Sequence, residues 1–272
     1  MFGKKVLVCA VVVALCVCFA EAGKRGVMPW MCLERCGENI KSDLDEIVRL
    51  GPSVFPSVSI EAFDLDWGAN IKDCGYSRVG PQLVNAGIMV QPMITTANIG
   101  KLRDLWKDPK GFVSQAMTVA RNNKAWITGF NIDFEPEGGE DPTHQDAVNF
   151  ANFLDLFGKA LHAEGFYLTV DIANWSPLFE DDILAKVDVD RFITMSTYSV
   201  GLDRFKEIVK DKAAAYGSKA GIGLSTSYHF TGDDVKARLD VVRQANIDTF
   251  AIWQAPVPSD WVPHLKSFVS GN

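Results

Sequence analysis

An alternating stretch near the middle of the chain, residues 127–137, most constrains what the protein can fold into. Small or polar residues stand at every second position, at Gly129, Asn131, Asp133 and Glu135, with apolar residues between them. Period-two alternation is typical of a β-strand, whose successive side chains point to opposite faces. Because carboxylates are seldom buried without a partner, this row predicts a functional site if it faces inward. A solvent-facing strand of an antiparallel sheet is the alternative.

Strand-like apolar runs alternate with helical patterns along the chain. The predicted strands are 26–31, 54–60, 88–94, 126–134, 166–172, 191–196, 221–224 and 247–253. The predicted helices are 40–50, a segment ending at 86, 112–121, 147–163, 183–187, 205–216, 235–245 and 261–269. Eight such units favour an α/β fold of the (β/α)8 TIM-barrel type, with a doubly wound open sheet as the alternative.

The length of 272 residues, 47% of them hydrophobic, fits one barrel domain. The short link after the seventh predicted strand leaves no room for a large insertion. A net charge of −7 with no basic cluster argues against nucleic acid or an anionic membrane as partner. We expect a monomer that binds a neutral polymer and needs no cofactor.

The first 22 residues have the pattern of a secretory signal peptide. Lys4 and Lys5 precede an apolar run from Val6 to Phe19, and a small-x-small sequence ends at Ala22. We therefore expect residues 1–22 to be removed and residues 23–272 to form a secreted or luminal domain. A membrane anchor is the alternative, although the apolar run is short for one.

Three cysteines, Cys32, Cys36 and Cys74, follow the predicted signal peptide. In an oxidising compartment an odd number predicts one disulfide and one remaining thiol. The sequence does not fix the pairing. We favour Cys36–Cys74, because both residues fall in loops after the first two predicted strands and those loops would be neighbours.

In a barrel of this type the active site lies at the carboxyl ends of the strands. Aromatic and polar residues are concentrated there: Trp30, Gln91, Asp133, Glu135, Asp171, Trp175, Tyr198, Trp253 and Gln254. Aromatic rings with polar groups between them suit a sugar, whose apolar faces stack while its hydroxyl groups form hydrogen bonds. Packing in the core is the alternative for Trp30 and Trp175.

The motif on the fourth predicted strand resembles a known signature. Residues 129–135, Gly-Phe-Asn-Ile-Asp-Phe-Glu, resemble the D-G-x-D-x-D-x-E signature of glycoside hydrolase family 18, which contains chitinases and endo-β-N-acetylglucosaminidases. Asp133 and Glu135 match it, whereas Thr128 and Asn131 stand where the family has Asp. The chain thus resembles a divergent member of this family.

Other strand ends match the family in part. Tyr198 and Trp253 match the Tyr that ends the sixth strand and the Trp that ends the eighth. Ser199 replaces the Asp that usually follows the Tyr. The sequence Gln91-Pro92-Met93-Ile94 replaces the Ser-x-Gly-Gly of the third strand.

The resemblance implies a glycosidase that cleaves β-1,4-linked N-acetylglucosamine glycans, such as chitin or the N-glycan core. It would act by substrate-assisted retaining catalysis, in which the substrate's own acetamido oxygen is the nucleophile. Glu135 would be the general acid, and Asp133 would raise its proton affinity and orient the acetamido nitrogen. Tyr198 would bind the acetamido oxygen, and Trp253 would form the floor. The remaining substrate-binding candidates are Asn131, Gln91, Trp30, Asp171, Trp175 and Gln254.

Asn131 leaves other functions open. A neutral amide cannot exchange a proton with Asp133, so we expect Asp133 to stay ionised over a wide pH range. An inactive chitinase-like carbohydrate-binding protein is one alternative. A metal-dependent phosphodiesterase that uses Asp133, Glu135 and Glu137 is another, but the four histidines show no paired ligand spacing and we expect no metal.

Overall fold

The computed structural model describes residues 25–33, 40–137 and 140–271. The predicted signal peptide, residues 1–22, lies outside these ranges, so its removal and secretion stay predictions. Within the described ranges, no helix combines the length and apolar character needed to cross a bilayer.

A closed parallel barrel forms the centre of the fold. Its sheet consists of β1 (Gly26–Met31), β2 (Ser57–Asp66), β3 (Asn70–Asp73), β4 (Met89–Thr96), β5 (Gly129–Phe134), β6 (Tyr167–Ile172), β7 (Arg191–Thr194), β8 (Ala220–Ser225) and β9 (Thr249–Trp253). All neighbouring strands are parallel except β3, which pairs antiparallel with β2. Strand β1 pairs with both β2 and β9, so the eight parallel strands close. The predicted (β/α)8 barrel is confirmed.

Helices cover the outside of the barrel. They are α1 (Ile40–Leu50), α2 (Gly80–Asn85), α3 (Ile99–Lys107), α4 (Pro109–Asn122), α5 (His144–His162), α6 (Asp181–Leu184), α7 (Leu202–Tyr216), α8 (Gly232–Gln244) and α9 (Val262–Ser270). The short link between β8 and α8 contains one 3-10 turn, Thr226–Tyr228, and no inserted domain.

Strand β2 is longer than predicted and turns back as β3. The turn centres on Gly68, whose φ of +68° is a left-handed value that favours glycine. The Asn70 side chain closes the turn by donating from Nδ2 to the Trp67 carbonyl at 2.8 Å. The predicted strand, 54–60, began three residues before β2 and ended at Ile60.

Helix α3 was also missed. It starts at an Asn98 cap, whose Oδ1 accepts hydrogen bonds from the backbone N–H groups of Gly100 at 2.8 Å and Lys101 at 3.2 Å. Its apolar side is narrow, with Ile99, Leu102 and Leu105 buried. A glycine in its first turn weakens the helical pattern in the sequence, and the cap compensates for it.

Phenylalanine packing fixes the orientation of β5. Phe130 and Phe134 point outward from the barrel and contact rings of α5: the centroids lie 5.7 Å apart for Phe130 and Phe157, and 6.2 Å apart for Phe134 and Phe153. Each buried ring contributes about 2–3 kcal/mol of hydrophobic stabilisation. Because side chains alternate along a strand, this packing turns Asn131 and Asp133 toward the barrel interior.

The predicted Cys36–Cys74 disulfide is wrong, because Cys32 is the disulfide-bonded cysteine and Cys74 forms no disulfide. Cys36 lies outside the described residues. Cys74 follows β3, with its Sγ 3.8 Å from the Lys72 carbonyl oxygen.

Gly158 allows a direct test of how closely α5 packs against the backbone at Asp188. A Cβ added to Gly158 would lie 1.6 Å from the Asp188 carbonyl oxygen. Helix propensity alone predicts that Gly158→Ala stabilises the protein by about 1 kcal/mol. We expect destabilisation instead, by about 1–3 kcal/mol or more, because the backbone segments must separate.

The measurement is the free energy of unfolding in urea. Gly26→Ala is the matched control, since its Cβ would lie at an ordinary 3.5 Å from Pro56 Cγ, and it should change stability by less than about 0.5 kcal/mol. A Gly158→Ala protein more stable than the wild type would show that this close approach does not exist.

Candidate active site

The carboxyl end of β5 carries the centre of the site. Asn131 is fully buried and Asp133 is 6% exposed, both on the interior face that the alternation predicts. Glu135 follows the end of the strand and is half-buried. Its backbone N–H donates to the Thr96 carbonyl at 3.0 Å, which extends the β4–β5 ladder beyond the strand and holds Glu135 at the rim.

A buried polar layer lies beneath Asp133. Asn131 Oδ1 accepts from Ser59 Oγ at 2.9 Å, and Asn131 Nδ2 donates to Thr169 Oγ1 and Asp171 Oδ1, each at 3.1 Å. Thr169 Oγ1 in turn donates to Gln91 Oε1 at 2.9 Å. Four barrel strands are joined by this layer. An aspartate at position 131 would lack the donor and would bring a second carboxylate next to Asp171.

A cavity of about 360 Å³ opens above this layer. Seven of the ten predicted site residues line it: Trp30, Asp133, Glu135, Asp171, Trp175, Tyr198 and Trp253. Asn131, Gln91 and Gln254 do not line it. Asn131 and Gln91, predicted to bind substrate, instead support the cavity from below, while Gln254 follows Trp253 beside the cavity.

Acidic side chains dominate the cavity wall. Glu61, Asp133, Glu135, Glu137 and Asp171 all line it, and within the described part of the chain no lysine, arginine or histidine does. The described residues also contain no group of three or more His, Cys, Asp or Glu side chains arranged to hold a metal ion.

Burial changes the protonation of these carboxyls. Burial raises the pKa of Asp133 well above its usual range, and the charges of Glu135, Asp171 and Glu61 raise it further. Burial likewise raises the pKa of Asp171, against the opposing hydrogen bond from Asn131. Asp133 is therefore protonated over a wider pH range. The prediction from the sequence was the reverse, that the neutral neighbour Asn131 keeps Asp133 ionised. That expectation considered the neutral neighbour but not the cost of burying a charge.

Glu135 is the more exposed member of the pair. Burial raises its pKa, as does the charge of Glu137, while a hydrogen bond with Asp133 lowers it. Asp133 thus does not raise the proton affinity of Glu135 as predicted, because the protonated Asp133 donates to Glu135. Because the pKa values of both neighbouring carboxyls are raised, the two residues can share one proton.

Aromatic residues frame the cavity. The rings of Trp30 and Tyr198 meet edge to face, with centroids 6.1 Å apart and planes at 66°. Burial raises the pKa of the Tyr198 hydroxyl well above its usual range, with further contributions from Asp171, Asp133 and Glu135, so it remains a donor. Trp253 ends β9 beside Trp30. Trp175 is 50% exposed and lies on the loop after β6.

Gly223 on β8 makes the Trp30–Tyr198 contact possible. A Cβ at this position would lie 2.8 Å from the Thr194 carbonyl oxygen, 2.9 Å from Tyr198 Cε1 and 3.0 Å from Trp30 Cη2. The loop that carries Tyr198 is tied to the same strand, because Thr197 Oγ1 donates to the Gly223 carbonyl at 2.6 Å. Any larger residue would displace both rings.

Glu61 is the functional candidate that the sequence prediction missed. It is 8% exposed and lines the cavity from β2, with the Cys32 sulfur 3.6 Å from its Oε2. Ser59 and Glu61 show the same two-residue spacing as Asn131 and Asp133. That signal was present, but the predicted strand stopped one residue before Glu61.

Solved structures with this fold include several glycosidases. A chitinase from Chromobacterium violaceum covers 90% of this chain and 99% of its own, with a TM-score of 0.75 and 12% identity. The spore cortex-lytic enzyme SleL from Bacillus cereus covers 92% and 75%, with a TM-score of 0.74 and 10% identity. Catalytic domain 2 of the Ostrinia furnacalis Group II chitinase covers 93% and 97%, with a TM-score of 0.72 and 12% identity.

A mutant of the Ostrinia furnacalis domain was solved in complex with penta-N-acetylchitooctaose. No family model matches the chain, and no similar sequence is found among curated proteins. At such low identity these likenesses show a shared fold. The structural neighbours are thus chitinases and cortex-lytic enzymes, the class that the motif on β5 resembles.

Proposed function

We propose that this chain is a secreted glycoside hydrolase that cleaves β-1,4-linked N-acetylglucosamine glycans, such as chitin or the N-glycan core. The observation that carries the proposal is the pair of carboxyls from Asp133 and Glu135, which line an aromatic-framed cavity at the carboxyl end of a barrel strand. Both have raised pKa values, so one proton can be available to the pair. A glycosidase needs such a proton next to the leaving oxygen.

Substrate binding would move the shared proton to the residue that uses it. The acetamido N–H of a bound sugar can donate to Asp133, which stabilises the ionised form of Asp133. The proton then resides on Glu135, which lies at the rim where the glycosidic oxygen can approach. Glu135 donates it as the bond to the leaving sugar breaks, and the acetamido oxygen attacks the anomeric carbon.

The ionised Asp133 then balances the positive charge that develops on the acetamido group. Tyr198 supplies a hydroxyl donor for the acetamido oxygen, and Trp253 offers an apolar surface for the sugar ring. Return of the proton to Glu135 accompanies attack of water and restores the enzyme with retained stereochemistry.

The complex of the Ostrinia furnacalis domain with an N-acetylglucosamine oligomer supports this substrate class, since that domain has the same fold. The acetamido chemistry is common to chitin and to the N-glycan core. Comparing cleavage of a labelled chitooligosaccharide with that of a high-mannose glycopeptide separates these two substrates.

A chitinase-like carbohydrate-binding protein is the second candidate. It is favoured by Ser199, which is exposed and absent from the cavity lining, where the resembled family has an aspartate after its tyrosine. Under this alternative the wild-type protein binds chitooligosaccharides but never cleaves them.

The first test removes the acid. Glu135→Gln keeps the shape of the side chain but cannot donate a carboxyl proton, so turnover should fall by at least about a hundredfold while sugar binding remains. Glu140→Gln is the matched control, because Glu140 is exposed and pairs with Arg103 away from the cavity. Steady-state kinetics on a chitooligosaccharide provide the measurement, and unchanged turnover in Glu135→Gln would refute the assignment.

The second test asks whether the buried carboxyls serve function at the expense of stability. The folded-state pKa of Asp171 is raised above the unfolded value of about 3.9. Between these two pKa values the folded protein holds a proton that the unfolded chain releases, so stability falls as pH rises. Asp171→Asn should therefore raise Tm at pH 7 by about 2–4 °C, and by less at pH 4, while turnover falls.

Asp141→Asn is the control, since this carboxylate is exposed in the loop before α5, and its small effect on Tm should be the same at both pH values. A loss of stability in Asp171→Asn at pH 7 would instead indicate that Asp171 is an ordinary structural residue. Differential scanning calorimetry at the two pH values makes this comparison.

A further inference from the structure

A chain of hydrogen bonds in the layer beneath the cavity runs in one direction. Asn131 Nδ2 donates to Thr169 Oγ1 at 3.1 Å, and Thr169 Oγ1 donates to Gln91 Oε1 at 2.9 Å. The Phe130 carbonyl, 3.5 Å from the same hydroxyl, is the weaker acceptor. Asn131, Thr169 and Gln91 are all buried, so solvent does not readily replace a partner that is lost here.

The single proton of the Thr169 hydroxyl gives this chain its direction. Because Thr169 donates that proton to Gln91, it presents lone pairs to Asn131. The amide NH2 group of Asn131 can donate to a lone pair, whereas its carbonyl oxygen cannot. The acceptor on Gln91 thereby selects one of the two orientations of the Asn131 amide, which differ by half a turn of the side-chain amide plane.

The selected orientation decides which group Asp171 meets. Asn131 Nδ2 donates to Asp171 Oδ1 at 3.1 Å, while Asn131 Oδ1 accepts from Ser59 Oγ at 2.9 Å. The Ser59 hydroxyl can accept as well as donate, so it would also satisfy a reversed amide. Thr169 cannot, as long as its proton is held by Gln91.

We propose that Gln91, acting through Thr169, holds the Asn131 amide with its NH2 group toward Asp171 whether Asp171 is ionised or neutral. Gln91 and Thr169 then act as positioning residues, a role in the reaction that rests on the proposed function. Gln91 was predicted to bind substrate, and its place beneath the cavity gives it this different task.

The fixed amide favours the ionised form of Asp171. An ionised Asp171 attracts the NH2 group by itself. A neutral Asp171 could donate its own proton to a carbonyl oxygen, and a freely rotating amide would turn to accept it. Because Thr169 prevents this turn, the neutral form lacks that hydrogen bond. The pKa of Asp171, which burial raises, is therefore lower than it would be with a free amide.

The effect reaches the proposed catalytic pair through charge. Asp171 raises the pKa of Asp133, so an Asp171 that stays ionised to lower pH strengthens the hold of Asp133 on its proton. The other titratable groups that line the cavity with Asp171 are unchanged in the test below: Glu61 of β2, Asp133, Glu135 and Glu137 on or after β5, and Tyr198 after β7. A shift caused by replacing one neutral side chain thus reports hydrogen bonding.

The experiment follows the carboxyl carbon of Asp171 by NMR in isotope-labelled protein, with Asp171→Asn protein to identify the signal. Gln91→Met removes the acceptor at nearly constant volume, and Thr169→Val removes the hydroxyl. Each change should raise the pKa of Asp171 by about half to one pH unit, the effect of one hydrogen bond gained by the neutral form.

Two controls separate this effect from a general disturbance. Thr169→Ser keeps the hydroxyl and should restore the wild-type titration of Asp171. Gln115→Met removes a half-buried amide on α4 that donates to the Ala69 carbonyl at 3.1 Å, and it should leave the titration unchanged.

A second measurement observes the orientation of the amide and needs the wild type alone if the variants do not fold. Below the pKa of Asp171, nuclear Overhauser contacts of the Asn131 NH2 protons should lead to the Thr169 side chain in the wild type. In Gln91→Met protein at the same pH they should lead to the Ser59 side chain. Above that pKa both proteins should show the contact with Thr169.

The outcomes distinguish this role from the proposed function. An Asn131 amide that turns toward Ser59 in the wild type at low pH would overturn the inference. So would an unchanged Asp171 pKa in both Gln91→Met and Thr169→Val. Cleavage of a chitooligosaccharide by the wild type is measured separately: if none occurs, the proposed function fails, while the titrations still decide whether Gln91 fixes the amide.

Discussion

The packing of Phe130 and Phe134 against α5 is the interaction on which the site depends. The two rings bury their surface outside the barrel, and strand geometry then leaves Asn131 and Asp133 no direction but inward. A shift of β5 by one residue would place phenylalanines among the carboxylates and charges against the helix. The hydrophobic stabilisation on the outer face of β5 therefore offsets the cost of burying polar groups on its inner face.

Asn131 reduces the repulsion that arises when several carboxyls line one cavity. Five carboxyls line one cavity, those of Glu61, Asp133, Glu135, Glu137 and Asp171. A sixth at position 131 would lie within hydrogen-bond distance of Asp171. The amide instead donates to Asp171 and accepts from Ser59. It thereby offsets part of the burial cost of Asp171 and joins β5 to strands on either side. An asparagine at the position where the resembled family has an aspartate thus fits the hydrogen bonds of the rest of the layer.

The alternation of strands and helices, and of side chains within β5, was enough to predict the barrel and the inward row, because both follow from short-range periodicity. Four features did not follow from it. The β2–β3 hairpin depends on a left-handed turn at Gly68, and α3 depends on a side-chain cap at Asn98. Glu61 lay just beyond the predicted end of its strand. The protonation of Asp133 required burial and neighbours from other strands, which a single strand cannot reveal.

The hydrogen bonds around Asn131 also indicate which groups of the site can exchange protons. Asn131 cannot titrate, so Asp133 and Glu135 have no further carboxyl directly behind them on β5. Asp171, on the neighbouring β6, takes that place: its pKa is raised by burial, and its charge in turn raises the pKa of Asp133. The third titrating group of the site, Asp171, therefore lies on the strand next to β5 and not on β5 itself. Since the hydrogen bond from Asn131 lowers the pKa of Asp171, the neutral amide still influences Asp133 through the charge of Asp171.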